Sequence, residues 1–180
     1  MQYKKLLLTS LFSALIIVGA YIRFPLPPVP ITLQTLFVLL AGFLLGSKLA
    51  MASTAIYLLL GFAGLPVFSN GGGLGTLLGP TGGFLFALLP AAFLSGIAGN
   101  FRKKTEHMRT YTLLCLLLGL AASLTVYLIG VPFLKYTRSL PWKTAIEVGM
   151  LPFLPGDILK LLVATQLGRT FHHRIEELVA

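Results

Sequence analysis

Charge is what this sequence has least of. Asp and Glu number five in 180 residues, and charged residues of both signs make up 11 %, against roughly 25 % in soluble domains. That shortage excludes an ordinary solvated surface. Cysteine occurs once, as Cys115 in the middle of an apolar run. A single thiol excludes an internal disulfide and a thiolate metal site, so Cys115 reads as packing in the core or against lipid. No Gly-Lys-Ser/Thr follows a glycine run and no GxGxxG register is complete, so no ATP site is visible. No HExxH or paired Cys/His spacing suggests a metal, and no cofactor is indicated. His172 and His173 stand in a polar tail and read as a solvated face. No serine has an obvious His or Asp partner.

Apolar residues fill the space that charge leaves. They make up 56 % of the chain, and the mean hydropathy is +0.89. The runs are spread along the whole length, which predicts an all-α membrane protein: a six-transmembrane-helix bundle forming one integral membrane domain over residues 1–180. The first run, Leu6 to Ile22, follows Lys4 and Lys5 and ends in small residues, as a signal peptide would; it is read as the first transmembrane helix. Arg23 to Pro30 holds four prolines and must be an extended connector. The second helix is expected over Ile31 to Leu45, with a tight turn at Gly46-Ser47-Lys48, and the third over Leu49 to Phe62. A long uncharged stretch follows, Gly64 to Gly83. The fourth helix is expected over Phe84 to Ala98, with Pro90 inside it, and the fifth over Tyr111 to Val131. Pro132 to Gly149 reads as a polar-aromatic connector with Tyr136 and Trp142 as interface anchors. The sixth helix starts near Pro155 and runs to about Leu167, leaving Gly168 to Ala180 as a polar tail.

The net charge of +9 lies between the apolar runs, which points to topology and anionic lipid rather than nucleic acid. With six helices both termini share one side. That side holds nine Lys and Arg (Lys4, Lys5, Lys48, Arg102, Lys103, Lys104, Arg109, Arg169 and Arg174) and the other four (Arg23, Lys135, Arg138 and Lys143). The positive-inside bias therefore puts both termini in the cytoplasm. The proline connector, the glycine-rich stretch and the start of the sixth helix then meet at the outer face.

Asp157 and Lys160 are the acid and base expected inside the membrane. Three residues apart on a helix, they share a face. A charge in hydrocarbon costs roughly 2.5–3.5 kcal/mol on insertion scales, so both must face protein, a cavity or a ligand. They read either as a structural ion pair or as a ligand site. The glycine-rich stretch carries Leu65, Val67, Phe68, Leu74, Leu77 and Leu78 and no charge. It is expected to be an ordered outer loop that packs into the bundle mouth as a lid, its backbone close to a ligand. Ser10 and Ala14 on the first helix are small residues four apart, a spacing that lets another helix approach closely.

Pro28-Val29-Pro30-Ile31-Thr32-Leu33-Gln34-Thr35, Gly64-Leu65-Pro66-Val67-Phe68, the glycine run, Leu78-Gly79-Pro80-Thr81-Gly82-Gly83 and Pro155-Gly156-Asp157-Ile158-Leu159-Lys160 together resemble the BioY family, and the resemblance covers almost the whole chain. It implies the biotin-specific substrate-binding (S) component of an energy-coupling-factor (ECF) vitamin transporter in a bacterial cell membrane. The implied partners are a transmembrane coupling (T) subunit and two ABC-type ATPases, so the ATP site would belong to other chains. Asp157 and Lys160 match the family's acid and base. Phe68 and Leu74 are candidates for the apolar wall, and Gln34, Asn70, Gly73, Gly75 and Thr81 are further candidates from the matching motifs. Helix 1 of such proteins is expected to dock on the coupling subunit through an Ala-x-x-x-Ala face, here Ser10 and Ala14. The other reading is a membrane enzyme acting on a lipid or peptide at the outer face, with Asp157 and Lys160 as acid and base. Tight binding of unmodified biotin separates the two.

Overall fold

The computed structural model describes residues 2–102 and 107–179; Lys103 and Lys104, counted above, lie outside the described residues. The chain is helical almost throughout. Helix α1 (Gln2–Tyr21) leads through a small hairpin, β1 (Arg23–Phe24) and β2 (Ile31–Thr32), into α2 (Gln34–Leu45) and α3 (Ser47–Phe62). A single turn, α4 (Leu74–Leu77), interrupts the glycine-rich stretch. Then come α5 (Gly82–Phe101), α6 (Met108–Arg138), the short α7 (Trp142–Gly149) and α8 (Leu154–Val179). Among the described residues three helices, Tyr3–Tyr21, Gly82–Phe101 and Met108–Arg138, are long and apolar enough to cross a membrane. Helices α7 and α8, bent by 44° at their break, make a fourth if taken as one span. Helices α2 and α3 are apolar but shorter, at 12 and 16 residues.

The proline connector is extended, as its composition requires, and its ends pair antiparallel, Arg23 opposite Thr32 and Phe24 opposite Ile31. Several sequence expectations need correction. Ile31 and Thr32, expected to open the second helix, are held extended by pairing with Phe24 and Arg23, and the connector expected over Pro132 to Gly149 carries a helix of its own, α7. The fifth segment does not stop at Val131 but continues through Pro132 to Arg138. Proline removes one helical hydrogen bond, a loss that helices packed in apolar surroundings accommodate. The residues after Gly168 are not a separate tail but further turns of α8. His172 is not on a solvated face either. It is buried, and its ring stacks on Tyr111 at 5.8 Å between centroids, with His173 at 3.8 Å on the other contact. Turns that bury an aromatic ring gain apolar contact that a solvated tail would lack.

Helix α2 runs through the centre and touches α1, α3, α5 and α8. Its last carbonyls have no partner within the helix. Tyr111 donates to the Phe43 carbonyl at 2.9 Å, and the buried Arg102 donates to that of Leu44, so a cation also meets the negative end of the helix dipole. Helix α5 crosses the α2–α3 joint at very close range. A methyl group at Gly96 would run into the backbone of Gly46 and Ser47, so glycine is what allows this approach. Asn100 then ties the two helices, accepting from the Ser47 N–H at 3.1 Å and donating to its hydroxyl at 3.0 Å. On α6, Leu113, Leu117, Leu120, Leu124 and Leu128 are all exposed. Their spacing makes one helical stripe, a surface suited to hydrocarbon. Cys115 is fully buried.

Candidate ligand-binding site

Helix α8 begins at Leu154 and carries Asp157 in its first turn, where the positive end of the helix dipole favours a carboxylate. Lys160 follows one turn later. Its Nζ lies 2.9 Å from Asp157 Oδ1, with the two side chains 8 % and 17 % exposed for Lys160 and Asp157 respectively. The other carboxylate oxygen accepts a hydrogen bond from the Tyr127 hydroxyl of α6. Asp157 is thus held from two directions, by a cation on its own helix and a phenol on a neighbouring one.

These groups border a cavity of about 70 Å³, open on one side. Val29, Pro30 and Thr32 of the hairpin region, Gln34 and Thr35 of α2, Ser69 of the glycine loop and Thr81 complete its polar and outer edges. Phe84, Leu85 and Leu88 of α5, Val126 of α6 and Phe153 supply an apolar wall. Among the described residues Gln34 Nε2 and Thr35 Oγ1 are buried without a hydrogen-bond partner. A buried donor left unpaired costs roughly 1–3 kcal/mol, so these atoms are suited to a ligand's acceptors. The cavity therefore offers an acceptor at Asp157, donors at Lys160 and Gln34, and several hydroxyls, all against an apolar surface. It suits a small molecule with N–H donors and a carbonyl on a hydrophobic body. Among the described residues no group of three or more His, Cys, Asp or Glu could hold a metal ion.

The glycine loop is tied down beside this cavity. Phe68 is 1 % exposed and meets the Tyr57 ring edge-on at 5.3 Å. Gly61 makes the room, because a methyl there would collide with the Phe68 ring. The Gly73 N–H donates to the Gly61 carbonyl at 2.7 Å, with Gly73 at φ +81°, a region that favours glycine. From the hairpin side, Tyr21 donates to the Pro66 carbonyl. Arg23 donates to the Ser69 carbonyl and, at 3.1 Å, to Asn70 Oδ1.

Of the residues expected from sequence, Asp157, Lys160, Gln34 and Thr81 come together around the cavity. Phe68, Asn70, Gly73, Leu74 and Gly75 lie in the adjoining loop but do not line it; Phe68 packs inward on Tyr57, and Leu74 is exposed. Ser10 and Ala14 are exposed on α1. Sequence reasoning missed the polar residues Tyr127, Thr32, Thr35 and Ser69 and the apolar wall of Phe84, Leu85, Leu88, Val126 and Phe153. A signal existed for Tyr127, since a tyrosine within a long apolar helix needs a partner for its hydroxyl.

An acid, a base and an unpaired amide around a half-enclosed cavity, at one end of an apolar helical bundle, define a membrane protein that holds a small polar solute between its helices. The chain belongs to the BioY family, whose model matches residues 1–177. It is 42 % identical over 167 residues to the biotin transporter BioY of Thermotoga maritima, covering 92 % of this chain and 94 % of that one. It is 41 % identical over 165 residues to a probable biotin transporter BioY of Pyrococcus horikoshii, covering 91 % and 93 %. Its structure is similar to the crystal structure of the S-component for biotin from an ECF-type ABC transporter, with a TM-score of 0.82 and 29 % identity over 96 % of this chain and 92 % of that one.

Proposed function

We propose that this chain is the high-affinity biotin-binding S component of an ECF-type transporter, a single membrane domain that captures biotin at the outer face. Uptake is driven by a T subunit and two ABC-type ATPases, which fits a chain with no nucleotide loop of its own. The observation that carries this reading is the convergence of Asp157, Lys160 and the unpaired Gln34 amide on one cavity. Asp157 accepts the ureido N–H groups, and Lys160 and Gln34 donate to the ureido oxygen. Phe84, Leu85 and Phe153 hold the fused rings. The relatives with which the chain shares about two fifths of its residues are named as transporters, certain or probable, and no observation favours an enzyme.

In this arrangement all six longer helices span the membrane, α2 and α3 as short spans, and both termini face the cytoplasm. The glycine loop is an outer lid. The cavity of about 70 Å³ is smaller than the roughly 300–1,000 Å³ of typical ligand pockets, so the lid moves outward to admit biotin. Ser10 and Ala14, exposed on α1, face the T subunit. Calorimetric titration of the purified protein with unmodified biotin tests the reading: saturable binding of one biotin per chain is expected, and its absence would sink it.

A further inference from the structure

The biotin reading leaves one charge of the ligand without a partner, the carboxylate at the end of its alkyl chain. Among the described residues lining the cavity, Lys160 is the one cation. It is buried and already engaged by Asp157 at 2.9 Å. A second carboxylate on Lys160 would stand beside the first in a poorly hydrated site, where like charges repel strongly.

The other cations assigned to this face are Arg23, Lys135, Arg138 and Lys143. None of the four is among the residues lining the cavity, and the last three belong to α6 and α7. Lys135 lies 5.2 Å from the ring centroids of both Tyr136 and Trp142. Arg23 is placed differently. It sits on β1 directly opposite Thr32, and its guanidinium donates to the carbonyl of Ser69. Thr32 and Ser69 both line the cavity. Arg23 therefore bridges the hairpin and the glycine loop at the rim. It is exposed and forms no ion pair with any described carboxylate. A guanidinium has five N–H donors in a fork that matches a carboxylate, and its contacts with Ser69 and Asn70 run through Nη1.

We infer that Arg23 is the receptor for the ligand's carboxylate, an inference that rests on the biotin reading above. It sets the direction in which biotin lies. The ureido ring rests on Asp157, Tyr127 and Lys160, the alkyl chain runs along Val29 and Phe84, and the acid reaches the rim. Charge then balances in two pairs, Asp157 with Lys160 and the ligand with Arg23. Because the same guanidinium ties the glycine loop to the hairpin, the acid also fastens the loop over its own alkyl chain.

The test compares biotin with biotin methyl ester, which keeps the ring and the chain but lacks the charge, on the wild-type protein, Arg23→Gln and Arg23→Lys. Wild type should prefer the acid about tenfold or more, the size of a lost charge-assisted contact. Arg23→Gln should bind acid and ester alike, and Arg23→Lys should keep part of the preference. If Arg23 only holds the loop, Arg23→Gln weakens both ligands by the same factor and the preference survives, which overturns the inference while leaving the biotin reading intact. Equal affinity of wild type for acid and ester overturns it too, without recourse to any variant. Failure of wild type to bind biotin at all removes the biotin reading, and this inference with it.

Discussion

Asp157 was legible in the sequence because a carboxylate in an apolar segment has few bland explanations, and Lys160 one turn away supplied its counter-charge. Gln34 and Thr81 could be found from the motifs around them. The hydroxyl of Tyr127 signals that it needs a partner, but not which one, because that partner lies 30 residues away on another helix. The Asp157–Lys160 pair still has two meanings, clasp or site, and substitution separates them. Asp157→Asn leaves Lys160 without its partner; an unpaired buried group costs roughly 1–3 kcal/mol, and about 1.4 kcal/mol is tenfold in affinity. Biotin binding measured by calorimetry should fall at least about tenfold, and Lys160→Ala should act similarly. In the double variant a mere clasp would be relieved of both charges and bind biotin normally; a site would fold and still fail to bind. Tyr127→Phe removes one donor to a charged acceptor, worth roughly 1.5–3 kcal/mol. Biotin affinity should drop about tenfold or more while the helical circular dichroism stays unchanged. Unaltered affinity would reduce Tyr127 to packing.

Among the elements, the long helices are legible in their apolar runs, whereas their ends and the short helices α4 and α7 are not. Pro132 reads as the start of a connector, yet α6 carries on to Arg138; the sequence does not reveal which prolines a helix absorbs, since neighbours decide it. The apolar, uncharged character of the glycine-rich stretch is legible in the sequence, but the facing of its side chains is not. Phe68 turns inward because Gly61, seven residues earlier, leaves a slot for its ring, while Ser69 reaches the cavity. Glycine permits many loop paths, so composition could not choose among them. Helix α1 has a separate task in this reading. Ala14 is exposed, and Phe12, Ser13 and Ile16 beside it are buried, so a bulky residue at position 14 leaves the bundle intact and obstructs an approaching helix. Ala14→Trp should bind biotin like wild type and abolish biotin uptake in cells carrying the partner subunits. Loss of binding and uptake together would make α1 a packing element only.

For the whole molecule, topology rests on the distribution of Lys and Arg. A cysteine at Lys48 in a Cys115→Ser background should resist a membrane-impermeant thiol reagent in intact cells, and one at Lys143 should react; both positions are exposed. The reverse pattern would invert the bundle and put the cavity on the wrong face. The site also draws its walls from parts of the chain far apart in sequence, Val29 to Thr35 on one side and Asp157 with Lys160 on the other. Asp157 is synthesised about 120 residues after Gln34, an interval of roughly 6–25 s at common elongation rates. During that time the early helices enter the membrane with half a binding site and nothing to hold. The vitamin therefore cannot guide their insertion. It can act only once the last helix has emerged, by favouring the docking of α8 onto a bundle already in place.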